Sequence, residues 1–330
     1  LQHRTKDEAT GNLTWAKRIH LATRPAKEHA LKNATAPAHL LLANYVRATE
    51  LKPEPFDPSL YTLCREENED KHLERPLPTL LGHAERSEPL WPIAKIKLFL
   101  KNQTIRKNEK MGSSAKPGQS VACFRAQLIL QLGPLGRYLL KKIQARLPGN
   151  ISLYARTSLQ QLDHFVRHSW NFSKMSKATD YERYDQSQNE EFLLFEILLM
   201  RHYFNIPEDL LNAYIESKLS AFVFLGPLAT MRLSGEWSTF LFNTIGNLAY
   251  QHTRYHIPRG TPQIYAGDDS AINHPARQKG SWRIFGLLFA LTCKDEWTTR
   301  PSFCSMRMTP SGLIKEPRLQ YARLMAAKEK

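Results

Sequence analysis

Apolar residues recur at helical spacing between Ser120 and Leu147, where Phe124, Leu128, Leu132, Leu135, Leu139 and Ile143 share one face. Lys141, Lys142 and Arg146 gather near the end of that run, so the pattern predicts a helix whose basic C-terminal turn suits its dipole. A second helix is predicted over Gln188 to Phe204, ahead of Pro207, and a third over Phe240 to Tyr250. Phe172 to Tyr181 predicts a strand that ends at Asp180. Pro262 to His274 reads as apolar strand, Gly267-Asp268-Asp269 turn and apolar strand, the pattern of a β-hairpin. Ser281 to Leu291 predicts a helix leading to Lys294, and Arg323 to Lys330 a final helix.

The first hundred residues read differently. Pro53, Pro55, Pro58, Pro76 and Pro78 and the acidic run Glu66-Glu67-Asn68-Glu69-Asp70 predict short helices and loops. The apolar segment Trp91 to Leu100 then gives way to a basic stretch, Lys101 to Lys116, and the turn Lys116-Pro117-Gly118-Gln119. This predicts an extended cationic loop, braced by the helix that follows.

Composition adds the partner. The 330 residues carry 46 Lys and Arg against 31 Asp and Glu, a formal charge of +15, while 42% hydrophobic content is enough to bury substantial cores. Residues 101–150 alone hold ten Lys or Arg and one acid, so one local surface is strongly cationic and suited to a polyanion. Cys64, Cys123, Cys293 and Cys304 form no C-x-x-C pair, which argues against a zinc site or a disulfide framework and fits a reducing compartment. No stretch reaches the roughly 18–20 apolar residues of a membrane-spanning helix. The chain starts at Leu1 with no initiator Met, and is expected to be a soluble piece of something larger.

Two acids at a hairpin tip, with a third at a strand end, suggest phosphoryl chemistry. Two Mg²⁺ ions about 3.5–4 Å apart can clamp a reacting phosphate, and a few carboxylates presented from rigid strand ends suffice to hold them. Asp180, Asp268 and Asp269 meet that demand if their strands are neighbours. Read alone, Gly-Asp-Asp is an ordinary hairpin turn, and the basic run a solvated face. His252 and His256 have i, i+4 spacing but no third ligand, and read as ordinary residues. Trp237 and Tyr265 suit base stacking or core packing alike.

Three longer motifs in order carry a resemblance. Asp180-Tyr-Glu-Arg-Tyr-Asp185-Gln-Ser-Gln resembles palm motif A of viral RNA polymerases, with two Asp separated by four residues. Ser234-Gly235-Glu-Trp-Ser-Thr239-Phe-Leu-Phe-Asn243-Thr-Ile-Gly-Asn247 resembles motif B, and Ala266-Gly267-Asp268-Asp269-Ser270 motif C. The chain is thus similar to RNA-dependent RNA polymerases of alphavirus-like positive-strand viruses, closest to the tymo-, potex- and flexivirus-like group. Lys101-Asn-Gln103, Arg106-Lys107 and Lys116-Pro-Gly118-Gln119 resemble the cationic fingers motif of that family. Phe303-Cys304-Ser305-Met306-Arg307 resembles its primer-grip strand, with Ser305 where relatives usually have Gly.

The resemblance implies an α+β right-hand polymerase: an antiparallel, RRM-like palm sheet, fingers and at most a partial thumb. Residues 1–170 would hold an N-terminal extension and fingers, 171–310 the palm with a fingers insertion near 205–230, and 311–330 the start of a truncated thumb. It implies that Asp180, Asp268 and Asp269 hold Mg²⁺, replaceable by Mn²⁺. It assigns Asp185, Ser234, Gly235, Thr239 and Asn243 to ribose and NTP recognition, and Lys101, Arg106, Lys107 and Lys116 to the triphosphate. Lys294 becomes the candidate proton donor to pyrophosphate, although a Lys at a helix end is also what the dipole favours. Thr239, Asn243 and Asn247 fall four apart and share one helix face.

The implied partners are template and nascent RNA, NTPs, and the helicase and capping domains of one replicase polyprotein. The implied location is the host cytoplasm, at membrane-associated replication complexes reached through other replicase parts. With 61 residues after Asp269, a chain truncated at both ends is expected to polymerise poorly alone. The alternatives are a reverse transcriptase, against which Asp185 and Asn243 argue, and a non-catalytic palm-like module that binds RNA.

Overall fold

The computed structural model describes residues 2–3, 8–73, 90–101, 103–104 and 117–315, with isolated positions between 317 and 325. Its fold is α+β. The chain divides into two compact units, one built from 1–39, 53–141 and 183–239, the other from 40–52, 142–182 and 240–330.

The first unit is mainly helical, with helices at Glu8–Arg18, Arg24–Asn33, Pro58–Leu73, Glu190–Tyr203 and Glu208–Leu219. Helix Glu190–Tyr203 matches the run expected over Gln188 to Phe204, and eight of its residues are buried. The acidic run lies within Pro58–Leu73, where Glu67 pairs with Arg137 and Lys141. The helix expected from Ser120 starts later, at Ala126, and runs to Arg146. Ser120–Cys123 instead forms a strand antiparallel to Lys97–Leu100, because this short β-prone stretch finds a partner in the apolar segment before the basic loop. Ile19, Ile96, Ala122, Ala221, Val223, Leu228, Met231 and Leu233 make a core beside this pair.

The second unit is organised on a five-stranded sheet. Its strands are β1 (Ile151–Leu153), β2 (Ser176–Tyr181), β3 (Gln263–Ala266), β4 (Asp269–Ile272) and β5 (Cys293–Thr298), in the order β5-β2-β4-β3-β1. All pairs are antiparallel except β3 with β1, so the sheet expected to be antiparallel carries one parallel edge. β2 is shorter than Phe172 to Tyr181. The Asn171 side chain accepts from Ser173 N–H at 2.9 Å, and its carbonyl from Lys174 N–H at 3.2 Å, closing a turn where the strand was expected to begin.

Three helices serve this sheet: α1 (Leu159–Ser169), α2 (Thr239–Arg254) and α3 (Trp282–Leu288). A capping box between Ser158 and Gln161 starts α1, whose Leu162 and Val166 pack with Ile264, Ala266 and Ala271 of β3 and β4. Burying each of the Leu, Val and Ile side chains contributes about 1.5–3 kcal/mol. α3 is shorter than Ser281 to Leu291, and Lys294 lies on β5 rather than at a helix end. Trp282 and Phe289, which bracket that helix, both pack edge-on against Tyr250 of α2.

A second, three-stranded sheet follows, built of β6 (Ser302–Phe303), β7 (Met306–Thr309) and β8 (Gly312–Lys315). Most of the helix expected over Arg323 to Lys330 lies outside the described residues. The β6–β7 hairpin turns on Cys304 and Ser305, both left-handed at φ 49° and 61°. Two left-handed residues in a two-residue turn favour glycine, the residue that the resemblance led one to expect at position 305. Ser305→Gly is therefore expected to raise unfolding free energy by about 0.5–1 kcal/mol. A urea midpoint that stays in place or falls would count against this.

Candidate active site

Strand alternation and register gather the acidic residues in the second unit. Along β2, Lys177, Thr179 and Tyr181 face one side and Ala178 and Asp180 the other, where Asp180 is exposed near the strand's end. Ser270 pairs with Thr179, so one further step along the ladder sets Asp269 opposite Asp180. Ala266 pairs with Asp269, leaving Gly267-Asp268 as a two-residue turn with Gly267 at φ +62° and Asp268 exposed at the tip. On the other side of β2, Lys294 pairs directly with Asp180 and is exposed. Residues directly opposed across a ladder share a face.

The electrostatics agree with that register. Crowding by protein atoms raises the Asp269 pKa, a hydrogen bond from the Cys304 thiol opposes this, and the charge of Asp180 raises it further. The same corner pushes the Cys304 thiol up, through burial first and then through Asp269 and Asp268. Among the described residues, no three His, Cys, Asp or Glu side chains are drawn into a closed ligand cluster. The corner is instead an open set of hard oxygen donors that repel one another. Such a set fits a Mg²⁺ ion that keeps several waters and takes further ligands from phosphate.

Helix α2 holds the acidic turn from behind. Thr244 Oγ1 accepts from Gly267 N–H at 2.8 Å. Asn247 Nδ2 donates to the carbonyls of Gly267 and Asp268 at 3.1 and 3.0 Å, while its Oδ1 accepts from the Tyr181 hydroxyl at 3.0 Å. Asn247, read from sequence as a helix-face polar group, thus fixes the main chain of the turn. Asn243, one turn earlier on α2, is 6% exposed. Gln251, one turn later, donates to Tyr181 and Thr179 at 2.8 and 3.0 Å and was not singled out in the sequence. Neither were Lys177 and Asp295, which form a buried ion pair at 2.8 Å. A charged residue alternating with small polar ones inside a strand was the available signal for Lys177.

In the first unit, the Ser234-Gly235 loop is built against strand Ser120–Cys123. Ala122 N–H donates to the Ser234 carbonyl at 2.9 Å. Gly235 has φ +105°, and a Cβ there would sit 2.4 Å from the Ala122 carbonyl oxygen, so only glycine fits. Thr239 Oγ1 donates to the Leu233 carbonyl at 2.7 Å, fastening the loop to the start of the helix. Arg232 and Glu236 flank the loop and are buried, paired with each other and with Glu196 and Lys218. Asp185 lies on the 3₁₀ turn Tyr184–Ser187, and its carbonyl accepts from Arg232 N–H at 2.8 Å.

The structure leaves part of the expected phosphate motif aside. Lys101 is exposed and its N–H donates to Gln119 O at 2.7 Å, whereas Arg106, Lys107 and Lys116 lie outside the described residues. Tyr265 is fully buried and donates to Gln263 at 2.7 Å, and Trp237 packs edge-on against Tyr214, so both serve the core. His252 bonds Gln263 at 2.8 Å, and burial lowers its pKa to about 4. None of the four cysteines forms a disulfide. No described helix is long and apolar enough to cross a membrane.

An acidic strand end facing a Gly-Asp-Asp turn, with a Ser-Gly loop leading into a helix that holds that turn, defines a polymerase-type palm. The chain belongs to the RNA dependent RNA polymerase family, whose pattern matches residues 64–308. It is 41% identical over 99% of its length to the RNA replication protein of Botrytis virus F, of which it spans 17%. It is 35% identical over 99% of its length to that of Narcissus mosaic virus and 37% over 88% to that of Potato virus X, spanning 20% of each. A solved insertion-loop deletion mutant of a human picobirnavirus RNA-dependent RNA polymerase aligns over 80% of this chain and 61% of its own, with TM-score 0.49 and 12% identity.

Proposed function

We propose that this chain is the catalytic part of an RNA-directed RNA polymerase within a longer viral replication protein. The observation that supports the reading is the register that sets Asp269 opposite Asp180, close enough to feel its charge, with Asp180 exposed at the end of β2 and Asp268 exposed at the hairpin tip beside Asp269. Asp180 and Asp268 are the principal ligands for Mg²⁺, with Mn²⁺ as substitute, and Asp269 contributes from β4. When bound, the ions supply charge neutralisation at the reacting phosphate and activation of the RNA 3′ oxygen.

The chain's own residues do the rest. Lys294 gives a proton to the departing pyrophosphate, a role supported by its pairing with Asp180 across the ladder. Asp185 and Asn243 recognise the ribose 2′-OH, a group that both donates and accepts. Ser234, Gly235 and Thr239 shape the loop beside the incoming nucleotide, and Lys101, Arg106, Lys107 and Lys116 meet its triphosphate. Template and nascent RNA, NTPs, and the helicase and capping domains of one polyprotein are the partners, in cytoplasmic replication complexes associated with host membranes.

Single-nucleotide addition to an RNA primer on an RNA template tests this. The 330-residue chain is expected to add ribonucleotides only with Mg²⁺ or Mn²⁺ and to prefer them to deoxynucleotides. Preference for deoxynucleotides would favour a reverse transcriptase. Salt-sensitive RNA binding with no addition under any divalent ion would favour a binding module.

A further inference from the structure

Beneath the aspartate corner lies a buried polar chain that the reaction itself does not use. The Lys177 side chain is 0% exposed and pairs with Asp295 at 2.8 Å, and its ammonium sits 3.9 Å from the centroid of the Tyr255 ring. Asp295 also accepts from Tyr255 Oη, and from Thr179 Oγ1 at 2.9 Å. Lys177 Nζ donates to Gln251 Oε1 at 2.9 Å, Gln251 Nε2 to Tyr181 Oη at 2.8 Å, and Tyr181 Oη to Asn247 Oδ1 at 3.0 Å. Asn247 then donates to the carbonyls of Gly267 and Asp268. The chain therefore runs from β5, through β2 and α2, to the acidic turn, and passes through both neighbours of Asp180 in sequence, Thr179 and Tyr181.

A buried charge and four buried polar side chains are costly to retain in a sheet core, where apolar residues would pack equally well. Their distinct property is direction. Each hydrogen bond fixes one rotamer, so the chain fixes β2, which carries Asp180, against the turn, which carries Asp268. We propose that Lys177, Asp295, Gln251 and Tyr181 are positioning residues that set the spacing of Asp180 and Asp268 for divalent metal. This rests on the metal-binding reading given above. Partners that orient metal ligands from behind cost about 10–100-fold in metal affinity when removed.

Mn²⁺ binding to the 330-residue chain, followed by the electron paramagnetic resonance signal of free Mn²⁺, tests the proposal. Tyr181→Phe removes only the hydroxyl, and Gln251→Leu removes the link it serves. Each is expected to weaken Mn²⁺ binding about ten-fold, and the double variant to be little weaker than Gln251→Leu alone, since both break one chain. Val166→Ala, a cavity in the core of the same unit, is the folding control and is expected to lower the urea midpoint while leaving Mn²⁺ affinity within two-fold. Wild-type affinity in Tyr181→Phe and Gln251→Leu, or an equal loss in Val166→Ala, overturns the brace alone. No Mn²⁺ binding by the wild type, or unchanged binding by Asp268→Ala, overturns the metal reading and the brace with it.

Discussion

Asp268→Ala is expected to lower single-nucleotide addition by about a thousand-fold or more while leaving the fold intact. A metal clamp on a reacting phosphate supplies several kcal/mol of transition-state stabilisation, and about 4 kcal/mol corresponds to a factor near a thousand. The fold should tolerate the change because Asp268 is exposed at the turn. The bonds that hold the turn reach main-chain groups, from Thr244 to Gly267 N–H and from Asn247 to the Gly267 and Asp268 carbonyls. None of these three bonds uses the Asp268 carboxylate. Unfolding free energy should therefore stay within about 0.5 kcal/mol of wild type, the range of surface changes away from special features. Undiminished addition by the variant would remove Asp268 from the reaction.

The same turn shows what was legible in the sequence. Gly267-Asp268-Asp269 between apolar runs gave the hairpin, because turn chemistry and strand period are local properties. The turn residues proposed to act were visible, but not the side chains that hold them. Asn247 stood out as a polar group at four-residue spacing, whereas its bond to the Gly267 carbonyl joins residues twenty positions apart through tertiary packing. Lys177 and Asp295 are 118 positions apart and carry no local pattern that joins them. Helix Ala126–Arg146 starts later than its apolar spacing predicts for a related reason. Apolar spacing continued through Ser120–Cys123, yet those residues pair with Lys97–Leu100, and a distant strand partner overrode local periodicity. Ser234-Gly235 was legible as the start of the stretch that resembles motif B. What forces glycine there, the Ala122 carbonyl 2.4 Å from a would-be Cβ, belongs to the folded state alone.

Arg232→Met is expected to cost about 3–5 kcal/mol of folding free energy in the first unit, the range for leaving a buried charge without its partner. The Arg232 side chain is 2% exposed and that of Glu196 is 1% exposed, and the two are paired. Arg232 also meets Glu236 at 3.2 Å, Lys218 pairs with Glu236, and the Tyr214 hydroxyl donates to Glu196. Two cations and two anions therefore balance in one buried cluster. Burial, the largest single influence, works against the charge on Arg232, but Glu196, Tyr214 and Glu236 together outweigh it and hold the guanidinium well above its ordinary range. Removing Arg232 alone leaves two carboxylates facing one lysine. Replacing both members, as in Arg232→Met with Glu196→Leu, should recover most of the loss, because the desolvation that the pair opposes disappears with it. The functional consequence follows from place. Arg232 and Glu236 bracket Ser234 and Gly235, so the double variant should fold yet hold that loop less firmly. Its KM for nucleotide should rise several-fold, with the urea midpoint near wild type. A single variant that loses less than about 1 kcal/mol would show the cluster to be energetically idle, and a double variant with unchanged KM would separate it from the loop.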